Sequence, residues 1–184
     1  PPKFGGRVSA VINSETKSGN YEKFKSKFHL GFTNSGIFIE GPIKKNTTSF
    51  AIGGRLAHAN WLLNFINVPE SQKSRLNFFD GHVKIEHRFG AKSNIGIEGY
   101  SSNDNFLLLG DVSFDYQTQN LQLYYRSILN KNTNLTVKLL TSDYTSSLNQ
   151  LRRNNSGYFQ SGISTQSALI NILTSTGIGE VRFG

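Results

Sequence analysis

The chain has 184 residues and a net charge of +8, a length that allows one β-domain and excludes little. Its 18 Gly and 14 Phe, with many Asn, Ser and Thr, favour strands and turns over helices. Without Cys it has neither disulfides nor thiolate metal sites. The longest apolar run, residues 106–109, is far shorter than the ~20 residues of a membrane helix. We therefore predict an all-β fold, which would cross a bilayer only as a β-barrel.

The N-terminus begins Pro1-Pro2-Lys3, with no initiator methionine, no charged region and no apolar signal region. These features indicate a processed protein or an internal fragment, and a fragment is the favoured interpretation.

Residues 24–43 carry the clearest strand pattern. Large apolar side chains alternate with polar ones over residues 24–33, residues 33–36 are turn-forming, and isoleucines resume the alternation over residues 37–43. The pattern predicts a β-hairpin with one apolar and one polar face. Such a hairpin is not stable alone in water, so it must belong to a larger sheet.

Further strands are predicted over residues 49–58, 82–89, 95–99, 107–116, 121–129, 135–139 and 158–173. Short connections at residues 41–48, 90–94 and 130–134 alternate with long ones at residues 60–80 and 141–157. Residues 61–66 have a helical pattern for one or two turns. If the short connections at residues 90–94 and 130–134 lie at the same end of a barrel, an even number of crossing strands must separate them. Residues 103–118 must then form an excursion of an outer loop or an extension of a crossing strand.

Alternation alone does not separate a membrane barrel from a soluble β-sandwich, because both give period two. Two features favour the membrane barrel. The polar face is rich in Lys and Arg, as a wet or plugged lumen would be, and aromatic residues lie near predicted strand ends, where interfacial girdles occur. These residues are Phe89, Tyr100, Tyr124, Tyr144 and Tyr158.

The order of several short motifs resembles a known family. Phe4-Gly5-Gly6-Arg7, a strand at residues 8–13 and Thr16-Lys17-Ser18-Gly19-Asn20 resemble the junction of plug and barrel in TonB-dependent outer-membrane transporters. The resemblance is to the branch that often carries a carboxypeptidase-regulatory-like N-terminal domain. Further matches follow in order at residues 40–43, 49–55, 114–116 and 121–144, so that it covers roughly residues 4–148.

This resemblance implies that the chain is a portion of an antiparallel transmembrane β-barrel of about 22 strands with a plug in its lumen. Residues 1–20 would be the end of the plug domain and the plug–barrel junction, and residues 21–184 the N-terminal part of the barrel. The implied location is the cell outer membrane of a Gram-negative bacterium. The implied partners are the TonB complex, outer-membrane lipids, and the rest of the barrel and plug. A surface lipoprotein could contact the loop around Trp61, although that loop could equally fold over itself.

The resemblance also implies roles for individual residues. The plug–barrel junction comprises Phe4, Gly5, Gly6 and Arg7. The residues expected to face the lumen are Lys25, Lys27, Arg55, Lys84, Glu86 and Arg88. The residues expected to face lipid are Phe24, Phe28, Leu30, Phe32, Val83 and Ile85. Ligand import through the plugged barrel, with energy transmitted by TonB, is the implied function.

The main alternative is a soluble β-sandwich or a surface adhesion or binding domain. The histidines lack metal-ligand spacing, and no nucleophile or phosphate-binding motif is present. We therefore expect no enzymatic activity, cofactor or metal site. Nucleic acid is not an expected partner, because the aromatics alternate with the lysines across the strand instead of interleaving with them on one face.

Overall fold

The computed structural model describes residues 15–63, 65, 73–152 and 155–184, which form one nine-stranded antiparallel sheet. The all-β prediction is confirmed. The strands are β1 (Lys25–Leu30), β2 (Asn34–Lys44), β3 (Thr48–Ala57), β4 (Arg75–Phe89), β5 (Ser93–Leu108), β6 (Val112–Asn130), β7 (Thr133–Arg152), β8 (Asn155–Thr176) and β9 (Gly179–Phe183), with one short helix, α1 (Asn60–Leu63). No helix in these residues is long and apolar enough to cross a membrane.

The strands follow one another as an up-and-down meander, each paired with the next along the chain. Two neighbouring rows of the register show how the side chains divide. One row contains Lys25, Glu40, Ala51, Lys84, Glu98 and Gln122. The row beside it, on the opposite face, contains Ile39, Ile52, Val83, Gly99 and Leu121. We call these the polar face and the apolar face.

The connections differ between the two ends of the strands. The turns after β2, β4, β6 and β8 lie at one end and span at most three residues, which confirms the short connections predicted at residues 41–48, 90–94 and 130–134. The connections after β1, β3, β5 and β7 lie at the other end. Three of them also span at most three residues, and only the one after β3, residues 58–74, is long. We call these the tight-turn end and the long-loop end.

Two predictions at the long-loop end need correction. Residues 141–157 were expected to be an irregular loop, but most of them belong to β7 and β8, which pair residue by residue from Thr133 to Arg152. Residues 101–105 were expected to be a loop between the strands predicted at residues 95–99 and 107–116, but they lie inside a strand, β5. Both segments are polar on both faces, so they lack the alternation that marks a half-apolar strand. Of the two options for residues 103–118, the extension of crossing strands is confirmed.

The turn between β5 and β6 explains why that extension was hard to locate. Leu109 and Gly110 have φ angles of 55° and 73°, and the amide of Asp111 donates to the carbonyl of Leu108 at 2.9 Å. Positive φ at both central residues is the geometry of a type I′ hairpin turn. Leucine rarely adopts a positive φ. Because Leu109 ends an apolar run and no Asn-Gly pair is present, the sequence carries no recognisable signal for this turn.

The described residues form a single layer of sheet, and most of both faces is open. The accessible surface is 12939 Å² for a chain of 20.5 kDa, against roughly 8,800 Å² expected for a compact monomer of that mass. Large apolar side chains remain exposed along the whole apolar face, including Phe28 at 70% and Ile52 at 49%. The buried positions lie mainly on the polar face, where residues 15–24 cross it.

Candidate functional site

Residues 15–24, which we call the overlying segment, cross the polar face before the chain enters β1. Glu15 pairs with Arg126 on β6 at 3.4 Å, and Ser18 reaches Glu86 on β4. The carbonyl of Tyr21 accepts the amide of Asn46 in the turn after β2 at 2.9 Å. The overlying segment therefore touches strands that are far apart in the sequence, and it covers the polar face from β2 to β6.

The centre of this contact is the carboxylate of Glu86, which is 3% exposed. It accepts hydrogen bonds from the hydroxyls of Tyr21, of Tyr124 at 2.6 Å and of Ser18 at 3.3 Å. Two of these hydroxyls come from the overlying segment and one comes from β6. A buried carboxylate needs such donors, because an unpaired charge away from water is costly. We call these four residues the Glu86 cluster.

Tyr21 joins the cluster from the overlying segment and is 8% exposed. Burial raises the pKa of its phenol above the usual value, and the hydrogen bond to the Glu86 carboxylate raises it further. The guanidinium of Arg88 lies over its ring, 3.5 Å from the centroid. Tyr21 therefore stays neutral at physiological pH and donates to Glu86.

Lys84 forms a second anchor beside the Glu86 cluster and is 4% exposed. Its ammonium donates to the backbone carbonyl of Thr16 at 2.7 Å and pairs with Glu98 on β5 at 3.4 Å. Lys17 pairs with the buried carboxylate of Glu40 on β2 at 3.1 Å. Each buried charge of this region thus has an opposite charge or several donors beside it.

Glycine permits two close approaches in this region. A Cβ on Gly19 would collide with the backbone carbonyl of Phe50 on β3, and a Cβ on Gly96 would collide with the ring of Tyr124. The absence of a side chain lets the overlying segment lie directly on β3. It also lets the ring of Tyr124 lie against Gly96 on β5, with its hydroxyl donating to Glu86.

A cavity of about 550 Å³ lies on the polar face next to the overlying segment. Charged and amide side chains line most of it, among them Glu15, Lys84, Glu98, Asn120, Gln122, Arg126 and Lys138. The cations face carboxylates, since Glu15 lies 3.4 Å from Arg126 and 3.7 Å from Lys138. Within the described residues, no three His, Asp or Glu side chains are grouped so that they could hold a metal ion.

The structure divides the predicted lumen and lipid residues between the two faces. Through the register, the polar face carries Lys25, Lys27, Arg55, Lys84, Glu86 and Arg88. Phe28, Leu30, Val83 and Ile85 lie on the apolar face, and the ring of Phe24 packs beside that of Phe50. Phe32 follows β1 and contacts Trp61 at the long-loop end. The junction residues Phe4, Gly5, Gly6 and Arg7 lie outside the described residues.

Three aromatic positions were misinterpreted from the sequence. Tyr100, Tyr124 and Tyr144 were expected near strand ends among the interfacial aromatics, but the register puts all three on the polar face, well inside β5, β6 and β7. Tyr124 is 1% exposed. Its place in phase with Gln122 and Arg126 was the available signal. Its partner Glu86 could not be inferred, because the two residues are 38 positions apart and belong to strands that are not neighbours. The sequence also gave no indication of the roles of Ser18, Tyr21, Glu40 and Glu98.

No protein-family model, no curated protein and no solved structure matches the chain. The function must therefore be inferred from the geometry of the two faces and from the motifs in the sequence.

Proposed function

We propose that this chain is part of the wall of a plugged outer-membrane β-barrel of the TonB-dependent transporter class. The apolar face would contact lipid, and the polar face would line the lumen. The observation that carries the proposal is the inverted burial. Glu40, Lys84 and Glu86 are at most 4% exposed, whereas Val83 and Ile85, their neighbours in the sheet, are 43% and 40% exposed.

A water-soluble protein has the opposite distribution, with its apolar side chains inside and its charges in water. Monomeric soluble proteins rarely expose contiguous apolar patches larger than a few hundred Å². Here the apolar face continues across neighbouring strands from β1 to β8, as in the row formed by Phe50, Ile85, Ile97, Leu123 and Leu139. Lipid is the solvent that suits such a face.

The overlying segment supports the plugged form of the barrel. It occupies the polar face immediately before the first strand, which is where the resemblance puts the exit of the plug. The one long connection, residues 58–74, lies at the end opposite the tight turns after β2, β4, β6 and β8, as an outer loop of such a barrel would. In this arrangement a ligand binds at the outer side, TonB acts on the plug from the periplasm, and a path opens through the lumen.

A test of the lipid-facing assignment uses tryptophan fluorescence. These 184 residues contain one Trp. In the full-length protein, replacement of Trp61 and of every Trp elsewhere by Phe provides a background in which a single Trp can be introduced at Ile85 or at Gln122. In phosphatidylcholine vesicles with brominated acyl chains, we expect strong quenching at position 85 and little at position 122. The two positions lie on opposite faces of neighbouring parts of the sheet, so each controls for the other.

The soluble surface-binding domain is the outcome that would overturn this proposal. It predicts a protein that remains monodisperse in buffer without detergent, with position 85 protected from bromine in every vesicle preparation. Equal quenching at both positions would also contradict a wall with one lipid-facing side.

A further inference from the structure

We propose that the polar face carries a binding site for inorganic phosphate at its tight-turn end, where Arg88 and Arg126 flank Asn94. The inference goes beyond the proposed function and does not rest on it. It concerns an anion held at the end of the sheet, whether or not the apolar face contacts lipid.

The first observation is one row of the register at the tight-turn end. Arg88, Asn94, Arg126 and Thr136 follow one another across β4, β5, β6 and β7. On the polar face this row lies next to the row of Glu86. Neighbouring strands are about 4.8 Å apart, so Arg88 and Arg126 leave the sheet about 10 Å apart with Asn94 between them. Both arginine side chains can therefore contact one group held over Asn94.

The second observation is that two tyrosine rings of the Glu86 cluster position these arginines. The guanidinium of Arg88 lies 3.5 Å from the centroid of the Tyr21 ring, and that of Arg126 lies 4.9 Å from the centroid of the Tyr124 ring. A guanidinium is attracted to an aromatic face and keeps its N–H donors along its own edge. These donors are the groups that bind anionic oxygens.

The third observation is a cavity of about 320 Å³ between the arginines and the turn after β4. Its lining includes Arg88, Asn94 and Arg126, together with Lys92 from the turn. The Oδ1 atom of Asn94 is buried and accepts no hydrogen bond within the described residues. A buried carbonyl oxygen without a donor is costly. The cavity therefore suits a ligand that brings negative charge and one hydrogen-bond donor.

The charge around the cavity is positive. The charged side chains of this row, of the Glu86 row and of their immediate partners are four cations and two carboxylates: Arg88, Lys92, Arg126, Lys138, Glu15 and Glu86. Within the part of the chain that the structure describes, neither Arg88 nor Lys92 forms an ion pair. An excess of two positive charges is therefore left for a ligand.

The residues outside the described ranges cannot supply the balancing carboxylate. Residues 1–14 contain neither Asp nor Glu. Glu70, the one acidic residue among the others, is five positions before Arg75, a reach of at most about 18 Å. Arg88 is thirteen positions farther along β4, about 43 Å from Arg75. The anion must therefore come from outside residues 1–184.

Phosphate matches these groups better than a carboxylate does. A carboxylate has two oxygens, enough for one bidentate guanidinium contact, whereas phosphate has oxygens for both Arg88 and Arg126. At neutral pH phosphate also retains a P–O–H group, which can donate to the Oδ1 of Asn94. Sulfate has the same shape without that hydrogen, so comparison of the two anions tests the role of Asn94.

Isothermal titration calorimetry with inorganic phosphate tests this inference on the natural full-length protein in detergent micelles at neutral pH. We expect saturable binding, with sulfate about tenfold weaker because it lacks the donor. Asn94→Asp places a carboxylate of the same size between the arginines and should weaken phosphate binding about tenfold or more. The matched control is Arg75→Gln, an exposed arginine at the opposite end of β4, which should bind phosphate as the unaltered protein does. No phosphate binding, or unaltered binding in Asn94→Asp, would overturn the inference.

Arginine modification provides a measurement that needs no variant. Phenylglyoxal modifies accessible guanidinium groups, and peptide mapping gives the rate at each arginine. We expect saturating phosphate to slow modification of Arg88 and Arg126 about tenfold and to leave Arg75 unchanged. An acidic side chain from elsewhere in the full-length protein, if already bound to the two arginines, would prevent this protection and would show that the inference is wrong. Equal slowing at Arg75 would indicate a general salt effect and would also contradict it.

Discussion

The polar face is buried on one side of the sheet and open on the other. Beneath the overlying segment, Glu86 and Tyr124 are 3% and 1% exposed, and three hydroxyls converge on one carboxylate. On β9, Glu180 pairs with Arg182 at 3.1 Å, but both side chains are more than half exposed. Among the side chains that the structure describes, charge is therefore buried where ten residues of overlying chain, residues 15–24, exclude the water.

The comparison separates two sources of stability. Backbone pairing holds the strands together throughout the sheet, including β7, which pairs with β8 along its whole length. The side-chain network of the Glu86 cluster is confined to the covered side and stabilises the overlying segment there. Variants should therefore affect the two sides very differently.

The largest difference in the opening free energy of residues 15–24 is expected between Glu86→Ala and Glu180→Ala. Loss of the Glu86 carboxylate leaves the buried hydroxyls of Tyr21 and Tyr124 without their acceptor, and should lower the opening free energy of residues 15–24 by about 3 kcal/mol. Glu180→Ala removes one exposed ion pair and should change it by less than about 0.5 kcal/mol. Amide hydrogen exchange in detergent micelles measures both. Similar exchange in the two variants would show that Glu86 does not hold the overlying segment.

The strand pattern could be predicted from the sequence where one face is apolar and the other is polar. This holds for β1 and the part of β4 around Val83, where the alternation is strict. It fails toward the long-loop end of β7 and β8, where Ser, Thr and Asn occupy both faces. There the residues adopt strand conformation because they pair with a neighbouring strand. Such pairing depends on residues far away in the sequence, so the local pattern does not reveal it.

The site could be predicted from the sequence less well than the fold. Alternation assigns Lys84 and Glu86 to the polar face, but it does not show that residues 15–24 will bury them. Burial depends on contacts such as Ser18 with Glu86, which are 68 positions apart. Glycine at position 19 was noted only as part of a turn motif, whereas its structural role is close contact with Phe50.

A second, smaller difference, in how firmly residues 15–24 are held on the sheet, is expected between Gly19→Ala and Gly177→Ala. A methyl group at position 19 collides with the backbone carbonyl of Phe50, whereas a Cβ at position 177 has no neighbour within 4 Å. The overlying segment must shift to accept the methyl group, at a cost of about 1–3 kcal/mol. Limited proteolysis should therefore cut residues 15–24 faster in Gly19→Ala and at the unaltered rate in Gly177→Ala. Equal rates would mean that the overlying segment is not in close contact with β3.

The smallest effect concerns pH and compares Tyr21 with the exposed Tyr158. Because the pKa of Tyr21 is raised by burial and by Glu86, the docked state retains its proton at pH values where the detached segment loses it. Docking is thus fully stable below the usual tyrosine pKa near 10 and weakens as the pH rises from there through the raised value. Tyr21→Phe should cost about 1 kcal/mol at neutral pH and should flatten this alkaline decline.

Tyr158→Phe provides the control for that experiment, since Tyr158 is 64% exposed and bonds only to a neighbouring side chain on its own strand, Gln160. We expect it to leave both the neutral value and the alkaline decline unchanged. Hydrogen exchange is unsuitable at high pH, so a fluorescent label at the exposed Glu22 would follow detachment. If Tyr21→Phe declined as steeply as the unaltered protein, another titrating group would control the docking, and the covered side would not depend on a neutral phenol at Glu86.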